Sequence, residues 1–293
     1  MDNIPPHDFM GAPWPPPESD QFLIDTIPPH LKLTTTFKYD AELYPFRKII
    51  SSIVCPGHPV EQLEKLHEGS EFAERRIGNK SANQPQHGGR TIFSKRWRSR
   101  EKACPELHAG FRKTLGLFVE NVITPLLYAD QDDVDITTSP PTLYQRSPTF
   151  RAHMPGTDRA NGHRHRDYTY KRQPTEINIW LPITGPISGS NGLYVESTPD
   201  GNDFTSFQSE GDGEAILFWG NQLSHYSLPN TTEVSRISID FRVIRGDLFV
   251  EDYIAPYVKD KFARFRRGGN YTDTSEERKW RQSQNTAELI NKS

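Results

Sequence analysis

Cysteine is nearly absent from this chain: Cys55 and Cys104 are the two among 293 residues. Two thiols cannot build a disulfide framework, and no Cys-x-x-Cys pair offers a zinc or redox site, so a reducing, cytoplasmic setting is the expectation. Long apolar runs are missing too. No stretch of 18 or more apolar residues offers a bilayer-spanning helix, and Met1-Asp2-Asn3-Ile4-Pro5-Pro6 has neither the basic nor the apolar segment of a signal peptide. Charge of either sign is not in excess. A formal net charge of -3 and a pI near 6.4 leave no footprint for nucleic acid or membrane, so neither partner is expected. Gly211-Asp212-Gly213-Glu214 and Gly185-Pro186-Ile187-Ser188-Gly189 read as turns, with no P-loop or dinucleotide fingerprint among them. Gly-x-Ser-x-Gly is absent, so Ser224-His225 gives no sign of a hydrolase.

What is plentiful is punctuation. Twenty-four prolines and 20 glycines, with a mean hydropathy of -0.73, indicate long polar loops around a modest core. Residues 1–30 hold eight of those prolines and read as an extended arm, because proline removes donors and fixes φ. Residues 31–267 read as one domain, and the polar stretch 268–293 as a loosely held tail. A short helix is expected from near Pro59, with Val60, Leu63, Leu66 and His67 at helical spacing. The clearest helix runs from Pro105 to about Tyr128. There Leu107, Phe111, Leu115, Phe118, Val119, Val122 and Leu126 share one face, fit to pack outside a sheet. From about Leu143 the texture changes to short apolar runs between turn residues: Phe150–Met154, Ile177–Leu181, Gly192–Glu196, Ala215–Trp219 and Arg236–Ile244. Such a series indicates a sandwich or barrel.

The last of these strands alternates in an unusual way. Arg236, Ser238, Asp240 and Arg242 share one face, while Ile237, Ile239, Phe241 and Val243 share the other. With helices covering the apolar face, the polar face looks into a wet, charged cavity. The alternative is a folding-only strand that presents its charges to solvent.

His163-Arg164-His165-Arg166-Asp167 carries the chemistry. His165 and Asp167 stand two apart, so at the end of a strand both point one way, and His225 follows 58 residues after Asp167. Two histidines and a carboxylate on one face of an octahedral ion, with open positions opposite, form the ligand set of non-haem Fe(II) oxygenases. His163 competes with His165 as a ligand, or else lines the mouth or supports a ligand. His153 reads as structural; Glu196 and Asp240 are alternative carboxylates.

His165-Arg166-Asp167, His225 and Arg236, with Glu176-Ile177-Asn178-Ile179-Trp180-Leu181-Pro182 and Asn230-Thr231-Thr232 around them, resemble the Fe(II)/2-oxoglutarate-dependent oxygenase superfamily. The nearer likeness is to phytanoyl-hydroxylase-like members and a streptomycin-biosynthesis-type branch, over roughly residues 143–245. The resemblance implies a mainly β fold with flanking helices around a double-stranded β-helix, or jelly roll, cupin-like core. It also implies Fe(II), 2-oxoglutarate and dioxygen as cofactor and co-substrates. His165, Asp167 and His225 would be the catalytic metal ligands. Arg236, eleven residues after His225, would hold the far carboxylate of 2-oxoglutarate, with Arg242 as its rival. A guanidinium offers a planar fork for that purpose, and Ser238 faces the same way. Asn178 and Trp180 share a face that would line the pocket. The implied reaction couples decarboxylation of 2-oxoglutarate to succinate with hydroxylation, desaturation or ring closure. Asp167 occupies the place a halide would need, so halogenation is disfavoured.

Basic residues flank the ligands: Arg159, His163, Arg164, Arg166, Lys171 and Arg172. Of these His163, Arg164, Lys171 and Arg172 are the candidates for drawing a small, polar, anionic metabolite into the pocket. Arg166 should point away from its ligand neighbours. A second cluster comprises Arg90, Lys95, Arg96, Arg98, Arg100 and Lys102; Arg96-Trp97-Arg98 is too short for a base-stacking platform. Two other classes stay open: a cupin-type metalloenzyme that ignores 2-oxoglutarate, and a non-catalytic β-sandwich binding module.

Overall fold

The computed structural model describes residues 14–69, 92–131, 140–156, 162–258 and 265–290. Its organising element is the strand with two dissimilar faces. Arg236–Ile244 is buried along its whole length, which requires cover on both sides and on both edges. Numbered along the chain, the strands are β1 (Thr35–Lys38), β2 (Leu143–Gln145), β3 (Thr149–His153), β4 (Ile177–Pro182), β5 (Tyr194–Glu196), β6 (Phe204–Ser206), β7 (Glu214–Phe218), β8 (His225–Tyr226), β9 (Arg236–Ile244) and β10 (Tyr271–Asp273). A seven-stranded sheet runs β1-β7-β4-β9-β2-β10, with β3 pairing the first half of β9. A second sheet of three strands runs β6-β5-β8. Every ladder within the two sheets is antiparallel.

Antiparallel register places opposite residues on the same face. Asn178 pairs with Arg242 and with Phe218, and Trp180 with Asp240. Across the other edge, His153 pairs with Arg236 and Arg151 with Ser238. One face of the large sheet is therefore lined by Arg151, His153, Asn178, Trp180, Phe218 and the four polar residues of β9. The other face carries Ile237, Ile239, Phe241 and Val243 into the hydrophobic core.

The helices are α1 (Glu18–Asp25), α2 (Phe46–Val54), α3 (Ile92–Ala103), α4 (Pro105–Phe118), α5 (Thr124–Leu127) and α6 (Thr274–Ile290). They cover the apolar side. Phe118 meets Phe37, Tyr39, Tyr44 and Phe46 at 5.2–6.5 Å, while Trp97 stacks on Phe150 of β3 at 5.7 Å. None of the helices in the described residues is long and apolar enough to cross a membrane.

The strands read from the sequence form as β3, β4, β5, β7 and β9. The strands and helices together make a mixed α/β arrangement, and among the described residues no ladder joins the two sheets. Two readings are refined. The single helix expected from Pro105 is interrupted: a π turn at Val119–Ile123 separates α4 from α5. Pro125 lacks the N–H that would continue regular bonding, and the Thr124 hydroxyl donates to the Val119 carbonyl instead. The helical turn after Pro59, Val60–Glu68, is 3-10 rather than α, with Leu63 and Leu66 buried.

The described residues of both terminal stretches carry regular structure. Residues 18–25 of the proline-rich stretch are helical, and Asp20 accepts hydrogen bonds from the Tyr168 and Tyr253 hydroxyls. In the polar tail, β10 joins β2, and α6 docks by Arg112–Glu277 at 2.6 Å and Arg278–Glu120 at 2.7 Å. Ion pairs hold α6, so an apolar stripe was never needed.

Candidate metal centre

His165 sits where the chain leaves β3 and meets β8. It exchanges backbone hydrogen bonds with His225, its N–H to the His225 carbonyl at 3.1 Å and the reverse at 2.9 Å. Arg166 is extended, and Asp167 opens a 3-10 turn, Asp167–Tyr170. Its N–H donates to the Gly220 carbonyl at 2.8 Å. These bonds fix three side chains from distant parts of the sequence at one point. One potential ligand atom from each of His165, Asp167 and His225 lies within 4.8 Å of the others.

Each donor atom is prepared by a neighbour. His165 Nδ1 lies 2.6 Å from the His163 carbonyl, and His225 Nδ1 lies 3.0 Å from the Leu223 carbonyl. Carbonyls only accept, so both protons sit on Nδ1 and both Nε2 lone pairs are left for an ion. Asp167 is asymmetric in the same sense. Its Oδ2 accepts from Asn178 Nδ2 at 2.8 Å and from Arg242 Nε and Nη2 at 2.8 and 2.7 Å. Its Oδ1 is buried and has no hydrogen-bond partner, yet lies 3.6 Å from His165 Nε2 and 3.9 Å from His225 Nε2. A buried carboxylate oxygen without a donor is costly unless a cation meets it. The donor set therefore fits a divalent ion of the Fe(II) type.

The electrostatics keep the ligands in binding form. Burial pushes the Asp167 carboxyl up, but the Arg242 charge and both imidazoles outweigh it and hold it well below the usual carboxylate range. Burial, then the adjoining His165, keeps His225 neutral, with its pKa lowered to about 3.

A small, partly open cavity adjoins these residues. His165, His225, Asn178, Trp180, Asp240 and Arg242 line it, as expected of the polar face of β9 and its neighbour β4. Beyond them on β9, Arg236 and Ser238 are fully buried. Arg236 Nη1 donates to the Asn191 and Gly192 carbonyls at 2.6 and 3.2 Å, and its guanidinium lies 5.5 Å from the Trp180 ring. Its Nε and Nη2 have no acceptor, and neither Ser238 Oγ nor Asn178 Oδ1 has a partner. Burial, with Arg151 nearby, lowers the Arg236 guanidinium to about 9.

Several sequence-level alternatives close. Arg242 is committed to Asp167 and Asp240 and is not available as a co-substrate anchor. Asp240 is held by Arg151 and Arg242 at 2.7 Å each, and Glu196 by Arg166 at 3.3 Å, so neither joins the ligand set. His163 is exposed and contributes its carbonyl to His165 rather than its ring to the centre.

The basic residues that flank the ligands do not converge on this cavity. Arg164 bonds Ser224 Oγ and Asn202 Oδ1, and lies over Phe204. Arg172 pairs with buried Glu176 at 2.9 Å and lies over Phe265. Neither lines the cavity, nor does Lys171, whose left-handed backbone (φ 67°) ends the 3-10 turn. Arg166 points away, as expected, onto Asp200 and the Trp14 ring. Arg159 falls outside the described residues. In the second cluster Arg90 is also outside them, and Arg100 is buried against Trp97. Sequence reasoning missed Arg151, Tyr226 and Ser227, which line the cavity, and Tyr170, whose ring lies 5.2 Å from that of His165. Arg151 had a signal: it stands two residues before His153 on β3, on the face that pairs with β9.

No family model matches the chain. A stretch of 100 residues is 37% identical to the streptomycin biosynthesis protein StrG of Streptomyces griseus, 34% of this chain and 45% of that protein. The match thus spans less than half of that relative. Among solved structures, EctD from S. alaskensis has a TM-score of 0.45 at 12% identity, over 91% of each chain. SnoN, a non-haem α-ketoglutarate-dependent epimerase from nogalamycin biosynthesis, has a TM-score of 0.43 at 10% identity, over 87% of this chain and 98% of that one. These are partial likenesses of chain path. The chain thus carries an intact His165–Asp167–His225 set and a stretch similar to StrG.

Proposed function

We propose that the protein is an Fe(II)- and 2-oxoglutarate-dependent dioxygenase that oxidises a carbon centre of a small polar metabolite, its two sheets being the halves of a jelly-roll core. The observation that carries this reading is the pattern of unpaired buried atoms. Asp167 Oδ1, beside two imidazole Nε2 atoms, calls for a cation; Arg236 Nε and Nη2 with Ser238 Oγ call for an anion. An iron ion and the distal carboxylate of 2-oxoglutarate answer the two demands.

The roles then follow from the residues. His165, Asp167 and His225 hold the metal on one side and leave the cavity side open. Asn178 and Arg242 orient Asp167 so that one oxygen faces the metal and the other stays occupied. Arg236 and Ser238 bind the far carboxylate, and Trp180 forms a wall beside them. With 2-oxoglutarate bound, the iron supplies oxidation of a C–H bond by dioxygen, coupled to decarboxylation to succinate. Asp167 keeps halide out. Arg151, Asp240, Tyr226 and Ser227 give the cavity a mixed polar rim, suited to a hydroxyl-bearing substrate. Arg164 and Arg172 are engaged by Asn202 and Glu176, so the proposal does not require net negative charge on the substrate.

The test is anaerobic Fe(II) binding, followed by succinate formation with and without 2-oxoglutarate. Ala at His165, Asp167 or His225 is expected to abolish both. Arg236→Ala should leave iron binding intact and weaken 2-oxoglutarate by about 2–5 kcal/mol, the scale of truncating a buried charge pair. Turnover that ignores 2-oxoglutarate would sink the proposal.

A further inference from the structure

His153 is 2% exposed, and neither of its ring nitrogens has a hydrogen-bond partner. It stands directly opposite Arg236 in the β3–β9 ladder, with Arg151 opposite Ser238, and residues opposed in such a ladder carry their Cβ atoms about 5 Å apart on one face. Three neighbouring side chains therefore leave polar atoms unanswered in the same buried corner: His153, Arg236 and Ser238. One orphan is common in a native fold; three adjacent ones call for a missing partner.

Counting identifies that partner. A carboxylate has about four lone-pair sites for incoming hydrogens. Arg236 offers Nε–H and one Nη2–H, and Ser238 offers its hydroxyl. A fourth donor completes the set, and a neutral imidazole has one N–H to give. Burial, then the Arg236 charge, keeps His153 neutral, with its pKa lowered to about 3. No aspartate or glutamate in the described residues pairs with this corner, since Asp240 is taken by Arg151 and Arg242.

We infer that His153 is a co-substrate-binding residue, donating the fourth hydrogen bond to the distal carboxylate of 2-oxoglutarate beside Arg236 and Ser238. This rests on the reading of Arg236 above. It gives a function to a histidine that the sequence alone marks as structural.

The test measures 2-oxoglutarate affinity by calorimetry on the Fe(II)-loaded protein without oxygen, so no turnover is involved. His153→Phe keeps a ring and removes the donor. It should weaken 2-oxoglutarate roughly ten- to hundredfold, the effect of losing one hydrogen bond to a charged group, and leave Fe(II) affinity unchanged. His153→Gln, which restores an N–H, should recover part of the loss. In the native protein, the His153 ring nitrogen signals should move when 2-oxoglutarate is added. That measurement decides the matter even if His153→Phe does not fold. Unchanged affinity in His153→Phe, or unmoved ring signals, overturns the role of His153 while Arg236→Ala still weakens binding. If Arg236→Ala also leaves affinity unchanged, the reading of the whole corner as a carboxylate site fails instead.

Discussion

At the scale of single residues, the site is defined by what its atoms have and lack. Asp167 gives one oxygen to three donor contacts and keeps the other bare. Both imidazoles fix their tautomer on a carbonyl two residues upstream. Sequence spacing made the His165–Asp167 pair legible, because two positions apart in extended chain means one direction. It left His163 in contention, since the same spacing holds there. Only the backbone exchange with His225 singles out His165. His153 also has a consequence for stability. Its ring binds a proton more weakly folded than unfolded, with a pKa near 3 against an ordinary 6.5. The contribution is therefore full above about pH 6.5 and is lost as pH falls through the window towards 3. Denaturant unfolding at pH 5 should show a loss of about 2 kcal/mol from this residue relative to pH 7, at about 1.4 kcal/mol per unit. His153→Phe should flatten that slope; an unaltered slope would count against a neutral buried ring.

At the scale of elements, β9 separates two tasks onto two faces. Its apolar face joins the core under the helices, and its polar face joins the cavity. The two should be separable by mutation. Phe241→Ala empties a fully buried position and should cost about 3–5 kcal/mol, with iron stoichiometry retained in the folded fraction. Arg242→Gln strands Asp167 and Asp240 without their shared counter-charge. It should cost a comparable 3–5 kcal/mol and also weaken Fe(II) binding, about 10- to 100-fold as for other groups that orient a ligand. Unfolding curves and iron titrations on the two variants read both effects. Equal iron affinity in both would break the division. The alternation that shows this was visible in the sequence because polar and apolar residues trade places over eight positions. β8, with two residues, and β6 and β10, with three each, carry no such pattern, and α6 has no apolar stripe to betray it.

At the scale of the whole molecule, the metal ligands span elements that otherwise share few bonds. His225 belongs to the small sheet, and Asp167 is held by Asn178 and Arg242 of the large one. An ion held there would therefore cross-link two sheets that, among the described residues, share no ladder. Binding to the folded state alone stabilises by about 2.7 kcal/mol when free metal is 100-fold above its dissociation constant. Thermal unfolding with Fe(II) under anaerobic conditions, or with Mn(II), should shift upward, and chelator should reverse it. The shift should vanish in His225→Ala. A shift that survives there would locate the stabilising ion elsewhere.

Features that depend on neighbours along the chain are legible before any fold is known. Strand periodicity, the two faces of β9 and the pairing of His165 with Asp167 are set by backbone geometry over a few residues. The tertiary structure decided everything that depends on who stands opposite. Arg164 and Arg166 are each spent on a distant partner, Asn202 or Asp200, that spacing cannot reveal, while Arg172 pairs with Glu176 four residues on. Arg242 stands in the sequence as a rival to Arg236 for anchoring a carboxylate. The register of β4 on β9 sets Arg242 opposite Asn178 beside the Asp167 oxygen, and that of β3 on β9 sets Arg236 beside His153 with its Nε and Nη2 unpaired. A buried charge must find a counter-charge, and which one it finds is settled only when the sheets are assembled.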